Sequence, residues 1–212
     1  MSNFFMLRLT KKTGLYQMIL IFLPLLILGC SADRPSQQNT KNKFSTVLDN
    51  PISLSEFNLT ANDGSKFNVA ALKDNWSLLF FGYTHCPDVC PLTLHQLSQA
   101  RKSLSESIDE LPNIIMISVD PDRDTTDILH SYVNSFNQPV IGATGLATEI
   151  DKLTGQLGIF YKTNKEEGEN YSVSHSAAVV MINKNAQFHA VFSAPHSTEH
   201  FISDLPTIMA NN

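Results

Sequence analysis

Two cysteines four positions apart, Cys86 and Cys90, are the residues of this chain whose type and spacing point most clearly to chemistry. They follow an apolar run, 77–83, that predicts a buried strand, and they precede a segment that predicts a helix beginning near Pro91. The positive end of a helix dipole favours a thiolate over a thiol. Two thiolates held close together can form a disulfide or bind a soft metal such as Cu(I).

The N-terminal residues have the pattern of an export signal. Three positive charges precede an apolar stretch, 18–28, that is too short for a transmembrane helix, which needs about 20 residues. The end of the stretch and the residues after it, 27–31, resemble a bacterial lipobox, in which the cysteine, here Cys30, is lipidated and becomes the mature N-terminus. We predict a signal peptide at 1–29, the lipidated cysteine with a flexible tether at 30–43, and a folded domain at 44–212. An uncleaved N-terminal anchor is the alternative.

The chain has few enough cysteines to assign each of them to the lipid anchor or to the folded domain. Of the three cysteines, lipidation uses Cys30, which leaves Cys86 and Cys90 in an oxidising compartment. There they form a disulfide or are kept reduced for a purpose. A composition of 42% hydrophobic and 17% charged residues is that of a globular protein. The formal net charge of −5 and the lack of a basic stripe argue against a nucleic-acid partner.

The order of the predicted elements describes an α/β fold. The elements are an N-terminal hairpin around 57–69, a strand at 77–83, a helix at 91–108, a strand at 113–119, a helix from an Asp124 N-cap to 134, a strand at 140–142, a helix at 147–157, strands at 176–183 and 187–192, and a helix at 198–209. This alternation predicts a central sheet covered by helices on both faces. The cysteines then follow the carboxyl end of a strand, where such folds bind ligands.

Three separate motifs, at 81–91, 117–125 and 171–176, resemble those of the Sco/SenC family. The resemblance covers the chain from about Phe44 onward. It implies a thioredoxin-like fold and a copper-binding protein that serves cytochrome c oxidase assembly. Family members bind one copper, as Cu(I) or Cu(II), through two cysteines and a distant histidine, which here correspond to Cys86, Cys90 and His175.

The position of His175 fits this role. It precedes the apolar strand that is predicted to lie beside the cysteine strand. In thioredoxin-like folds the loop before that strand faces the cysteine loop and usually carries a cis-proline, but this chain has no proline there. An imidazole at this place can complete a three-coordinate site with two thiolates. Without the cysteines and the resemblance, a single histidine before a strand is more often structural.

Other polar residues near the motifs have more ordinary interpretations. Asp120 ends a strand beside the cysteine strand, so we predict a supporting role around the metal, outside the ligand set. Asp124 is expected to cap a helix, and Arg123 to neutralise the acidic cluster. His85 adjoins Cys86, but neighbours on an extended chain point apart, so we predict that it modulates Cys86 and is not a ligand. The remaining histidines, predicted to be structural or surface residues, are His95, His130, His189, His196 and His200.

The leading hypothesis is a copper metallochaperone and not primarily an enzyme. The resemblance implies three kinds of partner: the copper-site subunit of cytochrome c oxidase, a periplasmic copper donor or thiol reductase, and a membrane reached through the lipid anchor. The expected location is the bacterial cell envelope, facing the periplasm or the cell exterior.

Three other functions are compatible with parts of the pattern. A thiol–disulfide reductase would use Cys86 and Cys90 as its catalytic pair, would keep the oxidase's copper-site cysteines reduced, and would not need His175. A copper-sensing or redox-signalling lipoprotein is a further alternative. A peroxiredoxin-type peroxidase is disfavoured, because Thr84 stands two residues before Cys86 where that motif requires three.

Overall fold

A mixed eight-stranded sheet organises the computed structural model, which describes residues 42–210. In chain order the strands are β1 (Ser45–Ser53), β2 (Leu59–Ala61), β3 (Lys66–Phe67), β4 (Ser77–Gly82), β5 (Asn113–Ser118), β6 (Val140–Thr144), β7 (Tyr161–Thr163), β8 (Val173–His175), β9 (Val179–Ile182) and β10 (Gln187–Phe192). The helices are α1 (Val89–Leu104), α2 (Thr126–Val133), α3 (Ala147–Leu157) and α4 (Thr198–Ala210), and short 3₁₀ turns occupy Val69–Leu72 and Lys165–Asn170.

The predicted export signal, Cys30 and most of the tether lie outside the described residues. Within residues 42–210, no helix is long and apolar enough to cross a membrane.

The strand order is β1-β10-β9-β4-β5-β6-β2-β3, and β7 and β8 form a separate hairpin. The strand that leads to the cysteines, β4, runs parallel to β5 and antiparallel to β9. All six residues of β4 are buried, so both faces of the sheet are covered at its centre. The predicted α/β fold with a thioredoxin-like sheet is confirmed. The predicted hairpin is β2 and β3, which extends the sheet beyond β6.

Helix α1 begins two residues earlier than predicted and ends at Leu104 rather than near 108. Pro91 is therefore the third helical residue and not the first. A proline is tolerated there because the N–H groups of a first helical turn have no partner within the helix. The helix does not extend back to Pro87, so Cys86 lies in the loop as predicted, and Cys90 lies in the first turn.

Strand β1 was not predicted, and a buried carboxylate fixes its start. Asp204 of α4 is fully buried and accepts hydrogen bonds from the backbone N–H groups of Lys43 (3.1 Å), Phe44 (2.8 Å) and Ser45 (2.9 Å). The Ser45 hydroxyl also donates to it, at 2.8 Å. Burial by itself raises the pKa of Asp204, but these hydrogen bonds outweigh it and the pKa is lowered.

Asp204→Ala is expected to lower the free energy of unfolding by about 3 kcal/mol, because it leaves the donors of residues 43–45 unpaired. Since the folded-state pKa is lowered, the carboxylate stabilises the fold above its unfolded pKa of about 3.9 and loses this effect as the pH falls through the folded value. Urea unfolding at pH 7 measures the change. The exposed Asp109→Ala is the control, with a change under about 0.5 kcal/mol. Equal stability of the two variants would contradict the prediction.

Candidate metal centre

The three predicted ligands come together at the carboxyl end of β4. The sulfurs of Cys86 and Cys90 and a ring nitrogen of His175 all lie within 4.8 Å of one another. Cys90 Sγ is 3.5 Å from His175 Nε2, and the Cys90 backbone N–H donates to Cys86 Sγ at 3.4 Å. Both cysteines are free thiols. Two sulfurs and one imidazole nitrogen at this separation can surround a single small ion.

The two thiols differ in environment. Cys90 is fully buried in the first turn of α1, whereas Cys86 is partly exposed in the loop. Burial, together with the hydrogen bond to Cys86, raises the pKa of the Cys90 thiol. The sequence predicted that the helix N-terminus would favour a thiolate, but burial acts in the opposite direction on Cys90, and its pKa is raised. Any metal that binds here must displace the Cys90 proton.

His175 presents its Nε2 atom to the sulfurs. Its Nδ1 lies 3.1 Å from the carbonyl oxygen of Ser176, which can only accept, so Nδ1 carries the hydrogen and Nε2 keeps a lone pair. The rings of Phe80 and Tyr83 meet the imidazole edge to face, with centroids 5.9 and 6.1 Å away. Burial lowers the pKa of His175. The imidazole is therefore neutral near pH 7 and ready to act as a ligand.

Asp124 does not cap α2, which corrects the prediction; Thr125 is the N-cap. Asp124 is instead fully buried. It accepts hydrogen bonds from the Thr84 backbone N–H (3.0 Å), the Thr84 hydroxyl (2.6 Å) and the Ser118 hydroxyl (2.7 Å). Because Thr84 precedes Cys86 by two residues and Ser118 ends β5, this carboxylate ties the cysteine loop to the neighbouring strand.

The loop before Cys86 is a tight turn and not an extended segment. The Cys86 N–H donates to the carbonyl oxygen of Tyr83 at 3.2 Å, which places Thr84 and His85 at the corner. The expectation that the side chains of His85 and Cys86 point apart assumed an extended chain, so it does not apply to this turn. His85 is about half exposed, with 51% of its side-chain surface accessible.

Asp120 is buried and reaches the centre indirectly. Its carboxylate accepts hydrogen bonds from Arg123 Nε (2.5 Å) and from the Tyr171 hydroxyl (2.6 Å). The Arg123 guanidinium lies 3.6 Å from the centroid of the Tyr171 ring and 5.7 Å from that of Tyr83. Asp120 thus fastens the segment that leads into β8, the strand that ends at His175. The supporting role of Asp120 stays a prediction.

We expect Tyr171→Phe to weaken copper affinity about threefold and to lower the free energy of unfolding by about 1 kcal/mol, because Asp120 loses a hydrogen bond that holds the segment before His175. Tyr161→Phe is the matched control, since the Tyr161 hydroxyl donates to Asp151 (2.6 Å) and not to Asp120. Competition with a colorimetric Cu(I) chelator measures the affinity. If both variants bind copper equally well, Asp120 does not support the centre.

The remaining histidines do not join the cluster. His196 Nε2 donates to the carbonyl oxygen of Ala177 (2.6 Å), and its own carbonyl oxygen accepts from Gln96 of α1 (3.0 Å). It therefore connects the loop after His175 to the cysteine helix, which is a structural role. The others are exposed or packed elsewhere: His95 on the surface of α1, His130 beside Asn62, His189 against Trp76 and His200 stacked on Phe44.

Residues 46–210 match the family model described as SCO1/SenC. The chain belongs to the SCO1/SenC family. A mitochondrial SCO1 homolog of Arabidopsis thaliana is 34% identical over 145 residues, which is 68% of this chain but only 43% of that relative, so the match spans less than half of the relative's length.

Solved SCO1/SenC structures share the fold. The crystal structure of Arabidopsis thaliana ScoI with copper bound has 30% identity and a TM-score of 0.71, and the match covers 74% of this chain and 98% of that one. Bradyrhizobium japonicum ScoI with copper bound has 31% identity and a TM-score of 0.65, with 74% and 99% covered.

The sequence did not reveal every residue that shapes the centre of this SCO1/SenC chain. Gly82 gives Cys90 its space, because a Cβ at position 82 would lie 2.8 Å from Cys90 Sγ and 2.8 Å from Cε1 of Phe80. Tyr83 was recognised only as part of the motif, although its ring lines His175. A glycine that interrupts a buried strand just before a functional loop was the available signal for Gly82.

Proposed function

We propose that this chain binds one copper ion through Cys86, Cys90 and His175 and delivers it as a metallochaperone for the copper centre of cytochrome c oxidase. The observation that carries the proposal is the set of two free thiols and one imidazole nitrogen within 4.8 Å. Thiolate and imidazole ligands suit Cu(I), and a thiolate also suits Cu(II). The copper-bound structures of two relatives support the choice of metal.

The three ligands divide the work of holding and releasing copper. Cys90 is fully buried and acts as the anchor, whereas the partly exposed Cys86 is the sulfur that a partner's ligand can reach. His175 contributes a neutral nitrogen whose orientation the Ser176 carbonyl fixes. Release then proceeds by ligand exchange: an incoming thiolate binds the copper and Cys86 leaves, further ligands of the partner displace His175, and the buried Cys90 leaves last.

A thiol–disulfide reductase is the second candidate, and the geometry of the cysteine pair favours it. One partly exposed and one buried thiol, with the Cys90 N–H donating to Cys86 Sγ, suit attack by Cys86 on a partner disulfide and resolution by Cys90. Two electrons pass from the dithiol to the partner, whose cysteines are reduced. The chain's own disulfide form lacks both thiolate ligands and does not hold copper.

The proposed localisation and partners are based on the N-terminal sequence and on membership of the SCO1/SenC family. Lipidation of Cys30 would tether the domain to a membrane of the cell envelope, and the oxidase copper-site subunit and a copper donor would meet it there. Cys30→Ala is expected to move the protein from the membrane fraction to the soluble fraction. Retention in the membrane would favour an uncleaved anchor instead.

Copper titration of the reduced full chain in detergent, with and without His175→Ala, tests the proposed function. We expect one tightly bound Cu(I) per chain and an affinity at least about 100-fold weaker in the variant, since one of three ligands is lost. The variant keeps its dithiol and serves as its own redox control. Wild-type affinity in His175→Ala would favour the reductase.

Incubation with the metal-free copper-site subunit separates the two candidates further. A chaperone transfers copper to a subunit whose cysteines are already reduced. A reductase acts on the oxidised subunit, and His175→Ala does so as fast as the wild type.

Copper affinity is expected to rise with pH, by about tenfold per pH unit for each thiol proton displaced. The sign follows from the raised pKa of Cys90: the thiol stays protonated through neutral pH, so copper competes with a proton there, and that competition weakens as the pH rises. His175, whose pKa is lowered, adds no such dependence near pH 7. Chelator competition in steps between about pH 6.5 and 8 measures the slope. A flat profile would mean that both cysteines are thiolates before copper arrives.

A further inference from the structure

His85 is held in a way that the proposed copper centre does not require. Its Nδ1 lies 3.1 Å from the hydroxyl oxygen of Thr84 and 3.8 Å from Oδ1 of Asp124. The Thr84 hydroxyl in turn donates to Asp124 Oδ1 at 2.6 Å. An exposed imidazole at the corner of the cysteine turn is thus connected, through one hydroxyl, to a fully buried carboxylate.

This chain of hydrogen bonds determines which ring nitrogen of His85 carries the hydrogen. A threonine hydroxyl has one hydrogen, and Thr84 gives it to Asp124. The Thr84 oxygen can therefore only accept from His85, so Nδ1 must be the donor. In a neutral imidazole, Nε2 then has a free lone pair.

The same arrangement occurs at His175, where Nδ1 donates to the Ser176 carbonyl and Nε2 faces the sulfurs. Metal-binding histidines typically have their second nitrogen held by a carboxylate, carbonyl or similar acceptor, which fixes the ring and makes the ligand nitrogen more basic. His85 has the same feature, since its Nδ1 is held by an acceptor and its Nε2 is free. Unlike His175, however, its side chain is 51% exposed and it adjoins the more exposed of the two cysteines.

We propose that His85 Nε2 is a loading ligand: it binds incoming or departing Cu(I) transiently and passes it to or from Cys86. The inference rests on the proposed copper function and extends it to the path of the ion. The transfer is a ligand exchange without oxidation or reduction, in which copper stays Cu(I), a Cu–N bond gives way to a Cu–S bond, and the thiol proton passes to water. The buried Cys90 cannot make first contact with a donor, whereas His85 and Cys86 can.

A transient ligand changes rates and leaves the equilibrium almost unchanged. Cu(I) is offered to the reduced full chain as a coloured bicinchoninate complex, and the loss of colour is followed by stopped flow. We expect loading and release to slow about tenfold in His85→Ala. The affinity of this variant should stay within about twofold of the wild type, because both rates fall together. His95→Ala, which removes an exposed histidine from α1, is the matched control and should load at the wild-type rate.

Two further measurements distinguish a ligand role of His85 from a purely structural role. In the metal-free protein, ¹⁵N NMR of the neutral imidazole should show the hydrogen of His85 on Nδ1. Thr84→Ser keeps the hydroxyl and should keep both this tautomer and the loading rate.

The outcomes separate this inference from the proposed function. Wild-type loading in His85→Ala, a hydrogen on Nε2, or a weakened affinity with an unchanged loading rate would overturn the loading role alone. A wild-type chain that takes up no copper would overturn the proposed function and this inference with it.

Discussion

Asp124→Ala is expected to lower the free energy of unfolding by about 3–5 kcal/mol, the cost typical of breaking a buried ionic hydrogen-bond network. Asp124 is 0% exposed and receives three hydrogen bonds, from the backbone and hydroxyl of Thr84 and the hydroxyl of Ser118. Removing the carboxylate leaves these donors without their acceptor. Asp127→Ala, an exposed aspartate in the first turn of α2, is the control and should cost about 0.5 kcal/mol. Urea unfolding of both variants measures the difference.

Asp124→Ala is also expected to weaken copper affinity about tenfold. The affinity is measured at a temperature below the melting temperature of the variant, so that the protein is folded. The turn that carries Cys86 loses its connection to β5 and is less ordered before copper binds. Part of the binding free energy must then offset the entropy cost of ordering this turn, which lowers the affinity. Asp124→Asn fills the same volume, keeps one acceptor oxygen and should fall between wild type and Asp124→Ala in both measurements. If stability falls while copper affinity is unchanged, other contacts hold the turn and Asp124 does not position Cys86.

Gly82→Ala is expected to displace Cys90 Sγ and to weaken copper affinity about 100-fold, with a loss of about 1–3 kcal/mol in stability from overpacking. The added Cβ would lie 2.8 Å from both Cys90 Sγ and a ring carbon of Phe80. Gly82 ends the buried strand β4, where it pairs with Ser118 of β5, and this pairing limits how far the backbone can move. One of the two side chains must therefore shift, and both line the centre.

Gly155→Ala is the matched control, because a Cβ there meets no atom within 4 Å. Gly155 lies in α3, so alanine should leave copper affinity unchanged and raise stability by up to about 1 kcal/mol. Chelator competition and urea unfolding apply to both variants. Wild-type copper affinity in Gly82→Ala would show that the centre tolerates the methyl group and that Cys90 is not tightly confined.

Local patterns were sufficient for most of the elements. Apolar runs and chain-breaking residues are local signals, which can be read from a few neighbouring residues. They were sufficient to predict, near their observed positions, strands β4 to β6, the final hairpin of β9 and β10, and the four helices of the described residues. The start of α1 was misplaced by two residues because Pro91 is acceptable anywhere in the first turn. Strand β1 was missed because its residues lack a buried face of their own and it is defined by pairing with β10.

The three proposed ligand residues could be named from the sequence, since two cysteines and a histidine have few alternatives in chemistry and the motifs resemble a known family. Their environment could not. Asp124 has the local signature of a helix cap, and only folding brings Thr84, 40 residues away in sequence, to its carboxylate. Burial then raises the pKa of Cys90, opposite to the direction expected from the helix N-terminus, and a glycine in β4 decides how much room its sulfur has. Residue type specifies which groups can bind copper, whereas desolvation, close packing and hydrogen bonds between distant segments depend on three-dimensional proximity, which local sequence patterns do not contain.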